Sequence, residues 1–168
     1  GRLAALREAH AAASGADPSS HTGIGISIEG AEGCEIVGGR ARGFRVGLRA
    51  QGCPGLSVTG FDGSGNRRDR LQSTPEAEDA KDWLWPHEND GGQWEERYGA
   101  AISLVDCEGA KVTGCASHHG QNGLLLSRCD RAVVVANDFS FNSGWGIALW
   151  RTSHARIVGN RCDFCVRG

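Results

Sequence analysis

Five short apolar segments superpose residue for residue along the chain: Ile24–Ile28, Val46–Ala50, Ala100–Leu104, Asn122–Leu126 and Trp145–Leu149, at offsets of 22, 54, 22 and 23. A second set follows at the same offsets, as Glu35–Gly38, Ser57–Gly60, Lys111–Gly114, Val133–Ala136 and Arg156–Gly159. The long offset of 54 is one period carrying 32 extra residues. Two independent columns with a common spacing are the mark of a solenoid, in which each repeat stacks on its neighbours.

Within the first segment the alternation has a period of two, so Ile26/Ile28, Leu48/Ala50, Ile102/Leu104, Leu124/Leu126 and Ile147/Leu149 point the same way and form the core. One rung cannot bury that face, but stacking at about 4.8 Å sets each side chain on its equivalents above and below. The expected fold is all-β: a single-stranded, right-handed parallel β-helix of about five rungs, 22 to 23 residues each. Twenty-six glycines and 39% hydrophobic residues suit short strands joined by tight turns.

Residues 1–20 read as a helical segment, because Leu3–Ala13 has high helix propensity and stops at Ser14-Gly15. It serves either as a cap on the open end of the column or as an excursion from an earlier rung. The β-helix occupies 21–168, interrupted by an insertion at 67–98. With no methionine anywhere, and with Val166-Arg167-Gly168 entering what reads as another rung, the sequence is expected to be a fragment of a longer β-helix. No signal peptide is present to give its compartment. A net charge of −2 does not suit a nucleic-acid partner, and no apolar run nears the roughly 20 residues of a membrane span. A monomer is expected.

Cys53, Cys107 and Cys129 share one column and are expected as small buried hydrophobes. Cys162 and Cys165 form a C-x-x-C without a second such pair to complete a zinc site. On an extended strand their odd separation sends the thiols to opposite faces.

Function is expected where the repeat is broken. From Ser73 to Glu96 the insertion carries eight acids against Lys81 alone, and it holds Trp83, Trp85 and Trp94, three of the five tryptophans. Loops on a rigid scaffold are where binding residues gather. The equivalent connections carry His118, His119, Gln121 and Asn122 on one rung and Asn142 on the next. All overhang the outer face of the first strand, where Ser27, Arg49, Ser103, Leu125 and Ala148 are expected, with Trp150 at the strand end. A flat strip of mostly small side chains flanked by aromatic loops suits an extended sugar chain, since tryptophan covers a sugar ring and keeps its N–H free. Trp83, Trp85, Trp94, Trp150, Gln121, Asn122 and Asn142 are the candidate substrate contacts.

The runs "GLLLSRCDRAVVVANDFSFNSG" and "GIALWRTSHARIVGNRCDFC" resemble the right-handed β-helix repeat of NosD-like and pectate-lyase-like proteins, with Asn137 and Asn160 at the turn where such folds stack asparagines. The resemblance covers about residues 23 to 168 and implies a secreted or periplasmic protein acting on a polysaccharide or oligosaccharide, with a site along the first sheet. Hydrolysis needs two carboxyls roughly 5 to 9.5 Å apart, drawn from Glu88, Asp90, Glu95 and Glu96 of the insertion and Asp138 of the barrel. Elimination needs a base, for which His118, His119 and Tyr98 are candidates, and a cation such as Arg49 to neutralise a uronate. Of the adjacent histidines His119 is favoured, because in an extended segment only one faces the groove. Glu88, Asp90 and Glu95 offer oxygen ligands that suit Ca²⁺. The alternative is a β-helix that binds glycans or a partner without catalysis.

Overall fold

The computed structural model describes residues 20–68 and 98–166. The expected N-terminal helix, apart from Ser20, and the interior of the insertion lie outside these residues.

Among the described residues ten short strands follow one another: β1 (Ile24–Glu29), β2 (Glu35–Val37), β3 (Val46–Gln51), β4 (Ser57–Thr59), β5 (Ala100–Val105), β6 (Lys111–Thr113), β7 (Leu124–Ser127), β8 (Val133–Val135), β9 (Ile147–Trp150) and β10 (Arg156–Val158). Odd-numbered strands form one five-stranded sheet and even-numbered strands a second. All pairings are parallel and keep the sequence register, with Ile26 beside Leu48, Leu48 beside Ile102, Ile102 beside Leu124 and Leu124 beside Ile147. A third, thinner ladder of single bridges runs Arg40, Asp62, Ala116, Asp138, Arg161. The fold is thus a parallel β-solenoid of about five turns, and the 32-residue insertion leaves the ladder unbroken on both sides.

The core is the expected stack. Leu48, Ala50, Ile102, Leu104, Leu124 and Leu126 are fully buried, each large side chain contributing roughly 1.5 to 3 kcal/mol. Cys53, Cys107 and Cys129 are buried beside them. Each thiol donates to two carbonyls, as Cys129 Sγ does to Ser127 at 3.3 Å and to Leu104 on the preceding rung at 3.4 Å. Asn137 and Asn160 stack as expected, the Asn137 amide donating to Asn160 Oδ1 at 2.8 Å.

The rung closes through corners in the left-handed region. Four columns hold positive φ on every rung: Gly30/Gly52/Asp106/Arg128/Arg151, Gly33/Gly55/Gly109/Arg131/His154, Gly38/Gly60/Gly114/Ala136/Gly159 and Gly43/Gly65/His119/Phe141/Phe164. Among the described residues, all nine non-glycine residues with positive φ fall in them. The first two rungs use glycine throughout, whereas later rungs accept side chains at about 1–2 kcal/mol of strain each.

The third of these columns allows a direct test, because Gly114 and Ala136 are both exposed and an added Cβ at Gly114 would meet nothing. Ala136→Gly relieves about 1–2 kcal/mol of strain and returns about 0.4–1 kcal/mol of chain entropy to the unfolded state. It is expected to stabilise slightly, and Gly114→Ala to destabilise by a similar amount. Urea midpoints measured side by side check both signs.

Candidate functional site

The corner after the third ladder gathers the polar and aromatic side chains. Two positions beyond each bridge residue lies another column, Arg42, Ser64, His118, Ser140, Asp163. Together the two columns build a continuous polar chain along the solenoid axis. The Arg40 guanidinium donates to Asp62 Oδ2 at 2.8 Å, and Asp62 Oδ1 accepts from the Ser64 N–H at 3.0 Å. Ser64 Oγ then accepts from the His118 N–H at 3.0 Å. The His118 ring places Nε2 3.3 Å from Asp138 Oδ1, which also accepts from Ser140 Oγ at 2.6 Å. Arg161 Nη1 stands 3.8 Å from Asp138 Oδ2 and its Nη2 3.1 Å from Asp163.

The two central carboxylates are held ionised. At Asp138 the Ser140 hydroxyl has the largest effect; partial burial opposes it, and His118 and Arg161 add to it, so its carboxyl lies below the ordinary aspartate range. At Asp62 burial raises the carboxyl, but hydrogen bonds from Ser64 and Arg40 together outweigh that. Asp62 and Asp138 stand two rungs apart across the small Ala116, or roughly 9.6 Å by the strand spacing. That reaches the upper end of an inverting glycosidase pair, yet such a pair needs one protonated acid, and neither aspartate is held in that form.

Beside the polar chain runs an exposed aromatic ladder. His119, Phe141 and Phe164 occupy consecutive rungs of the fourth left-handed column, with φ of 59°, 61° and 54°. The His119 and Phe141 rings stack at 5.9 Å and those of Phe141 and Phe164 at 5.1 Å. His118 meets Phe141 edge-on at 6.3 Å. Phe141 is 43% exposed and Phe164 81%.

The other candidates lie elsewhere. Trp83, Trp85, Trp94, Glu88, Asp90, Glu95 and Glu96 are outside the described residues. Arg49, on the outer face of β3, donates to Gln51 Oε1 at 3.3 Å. Trp150, at the end of β9, lies under the Arg151 guanidinium at 5.5 Å. Tyr98 packs edge-on against Trp145 at 5.9 Å. Around the centre of the first sheet, Ser103, Val105, Leu125, Ser127 and Ala148 face outward yet are buried, and Ala100, Leu125, Trp145 and Ala148 form an apolar cluster there.

Gln121, Asn122 and Asn142 are corner ties, with buried side chains bonded to the backbone. Gln121 Oε1 accepts from the Gly99 N–H at 2.6 Å, and Asn122 donates to the Gly99 carbonyl at 2.8 Å and accepts from the Trp145 N–H at 2.9 Å. Asn142 donates to Ser117 and Phe139 carbonyls and accepts from Gly120. Sequence reasoning passed over Phe141, Phe164, Asp62, Ser64, Ser140 and Arg161. The signal for the ladder was present, since Gly43, Gly65, His119, Phe141 and Phe164 follow one another at the repeat offsets of 22, 54, 22 and 23.

Comparison with protein-family models, with curated proteins and with solved structures returned no match.

The depressed Asp138 carboxyl has a pH consequence. A group whose folded value lies below its unfolded value adds stability above the unfolded value and loses it as pH falls through the folded one. Stability is therefore expected to drop below the ordinary aspartate value of 3.8, and Asp138→Asn is expected to flatten that acid limb in urea midpoints measured against pH.

Proposed function

We propose that the protein is a glycan-binding β-helix whose binding track is the corner carrying His119, Phe141 and Phe164. The observation that carries this reading is the exposed aromatic ladder in a column where glycine is the least strained residue. Each ring there is strained by about 1–2 kcal/mol, and stacking returns about 0.5–1.5 kcal/mol per pair. Fold stability alone therefore gives no reason to prefer exposed rings to glycine. The apolar ring edges run parallel to the chain of Asp62, Ser64, His118, Asp138 and Arg161. An extended sugar polymer is amphipathic in the same sense, with C–H faces and hydroxyl rims. Resemblance of the repeat to NosD-like and pectate-lyase-like proteins favours carbohydrate over other extended ligands.

The His118–Asp138 contact supports a second reading, elimination. An ionised aspartate that orients an imidazole is a base arrangement. In this reading His118 removes the proton beside a uronate carboxyl, the neighbouring C–O bond breaks, and the leaving oxygen takes a proton from water.

Phe141→Gly separates ligand from fold, because glycine relieves the left-handed strain while removing the ring. Titration against a panel of neutral and acidic oligosaccharides is expected to find a bound glycan whose affinity falls at least tenfold in Phe141→Gly, with the urea midpoint unchanged or raised. Equal affinity in the variant, or no binding across the panel, overturns the track. His118→Gln is expected to keep binding and, under the second reading, to abolish the ultraviolet absorbance of unsaturated product.

A further inference from the structure

The C-x-x-C is not on an extended strand. Asp163 and Phe164 form a turn between the two cysteines, with Phe164 in the left-handed region. This overturns the expectation that the thiols face opposite ways. Cys162 packs against the main core, in the column of Ala41 and Phe139. Cys165 also turns inward: its Sγ donates to the Phe139 carbonyl at 3.1 Å. It occupies the column of Asn66 and Asn142, whose buried amides make the same tie to the preceding rung, to Ala41 and Ser117. A four-residue turn brings its first and last Cα within about 7 Å, and disulfides span about 4.4–6.8 Å.

We propose that Cys162 and Cys165 are a redox site that closes into a disulfide across this turn by exchange with a small-molecule disulfide such as oxidised glutathione. One cysteine thiolate attacks the glutathione disulfide and releases one reduced glutathione. The second cysteine then attacks the mixed disulfide and releases another, so two protons and two electrons pass from the pair to the oxidant. Burial, followed by the charge of its partner, raises the Cys162 thiol, and burial raises Cys165. Closure is therefore expected to speed up as pH rises. The remaining thiols are placed differently: Cys53, Cys107, Cys115 and Cys129 are buried, and Cys34 is half-buried next to the column of Cys53. Because Phe164 sits inside the closed ring, oxidation also fixes the last ring of the aromatic ladder, a consequence that does not depend on any glycan.

The test equilibrates the full chain with excess oxidised glutathione, quenches it in acid, denatures it, alkylates free thiols and maps the peptides by mass. Cys162 and Cys165 are expected in one peptide, unalkylated and lighter by two hydrogens, with the other five cysteines alkylated. Recovery of both as alkylated thiols, as glutathione adducts, or joined to another cysteine such as Cys34 overturns the proposal. Cys165→Asn installs the amide used on two other rungs, so it is expected to fold with a urea midpoint at or above that of the reduced protein and to give no closed peptide. A Cys162 still held in an intramolecular disulfide in that variant also overturns it.

Discussion

Each rung must turn through a full circuit and return to parallel register within 22 or 23 residues, and the left-handed corner makes this possible. Four such corners per rung redirect the chain between short strands of three to six residues. Their position fixes everything stacked on them. Once the corners are in register, Ile26, Leu48, Ile102, Leu124 and Ile147 form a single column without further specification. Glycine meets the requirement at no steric cost, whereas a side chain there is strained and needs some other reason to be present.

Buried amides complete the corners. A solenoid turn leaves backbone groups that the sheets do not pair, and an unsatisfied buried group costs about 1–3 kcal/mol. Asn66 meets this need by donating to the Ala41 and Gly63 carbonyls and accepting from Phe44 N–H. Asn142 repeats the pattern two rungs later in the same column, and Asn122 and Asn137 do equivalent work at other points of the circuit. These asparagines hold the geometry on which the exposed side chains are displayed, so polar residues in the loops divide into buried ties and outward groups such as Asp138 and His118.

That division explains what was legible beforehand. The strands, their register, the Ile/Leu core and the Cys53/Cys107/Cys129 column all follow from spacing, because stacking converts sequence period directly into spatial neighbourhood. The corners were opaque because alternation fails there. A left-handed residue such as Phe164 reverses which way its neighbours point, so Cys162 and Cys165 meet the interior together although an odd separation on a strand would part them. The same failure hid the buried ties of Gln121, Asn122 and Asn142 and the stack of His119, Phe141 and Phe164.

The two stubs of the long excursion are each fastened to the coil. The Arg67 N–H donates to Phe44 O at 2.8 Å, and its own carbonyl accepts from the Gln121 N–H at 2.7 Å. On the return side, Gly99 is gripped by both Gln121 and Asn122, and Ala100 donates to Arg45 at 3.1 Å. A solenoid built this way has a port: a corner at which one loop can be exchanged for another of different length and chemistry while the rungs above and below keep their register. Diversification of such a protein would then proceed by swapping whole loops at one address, with the column left as a constant frame.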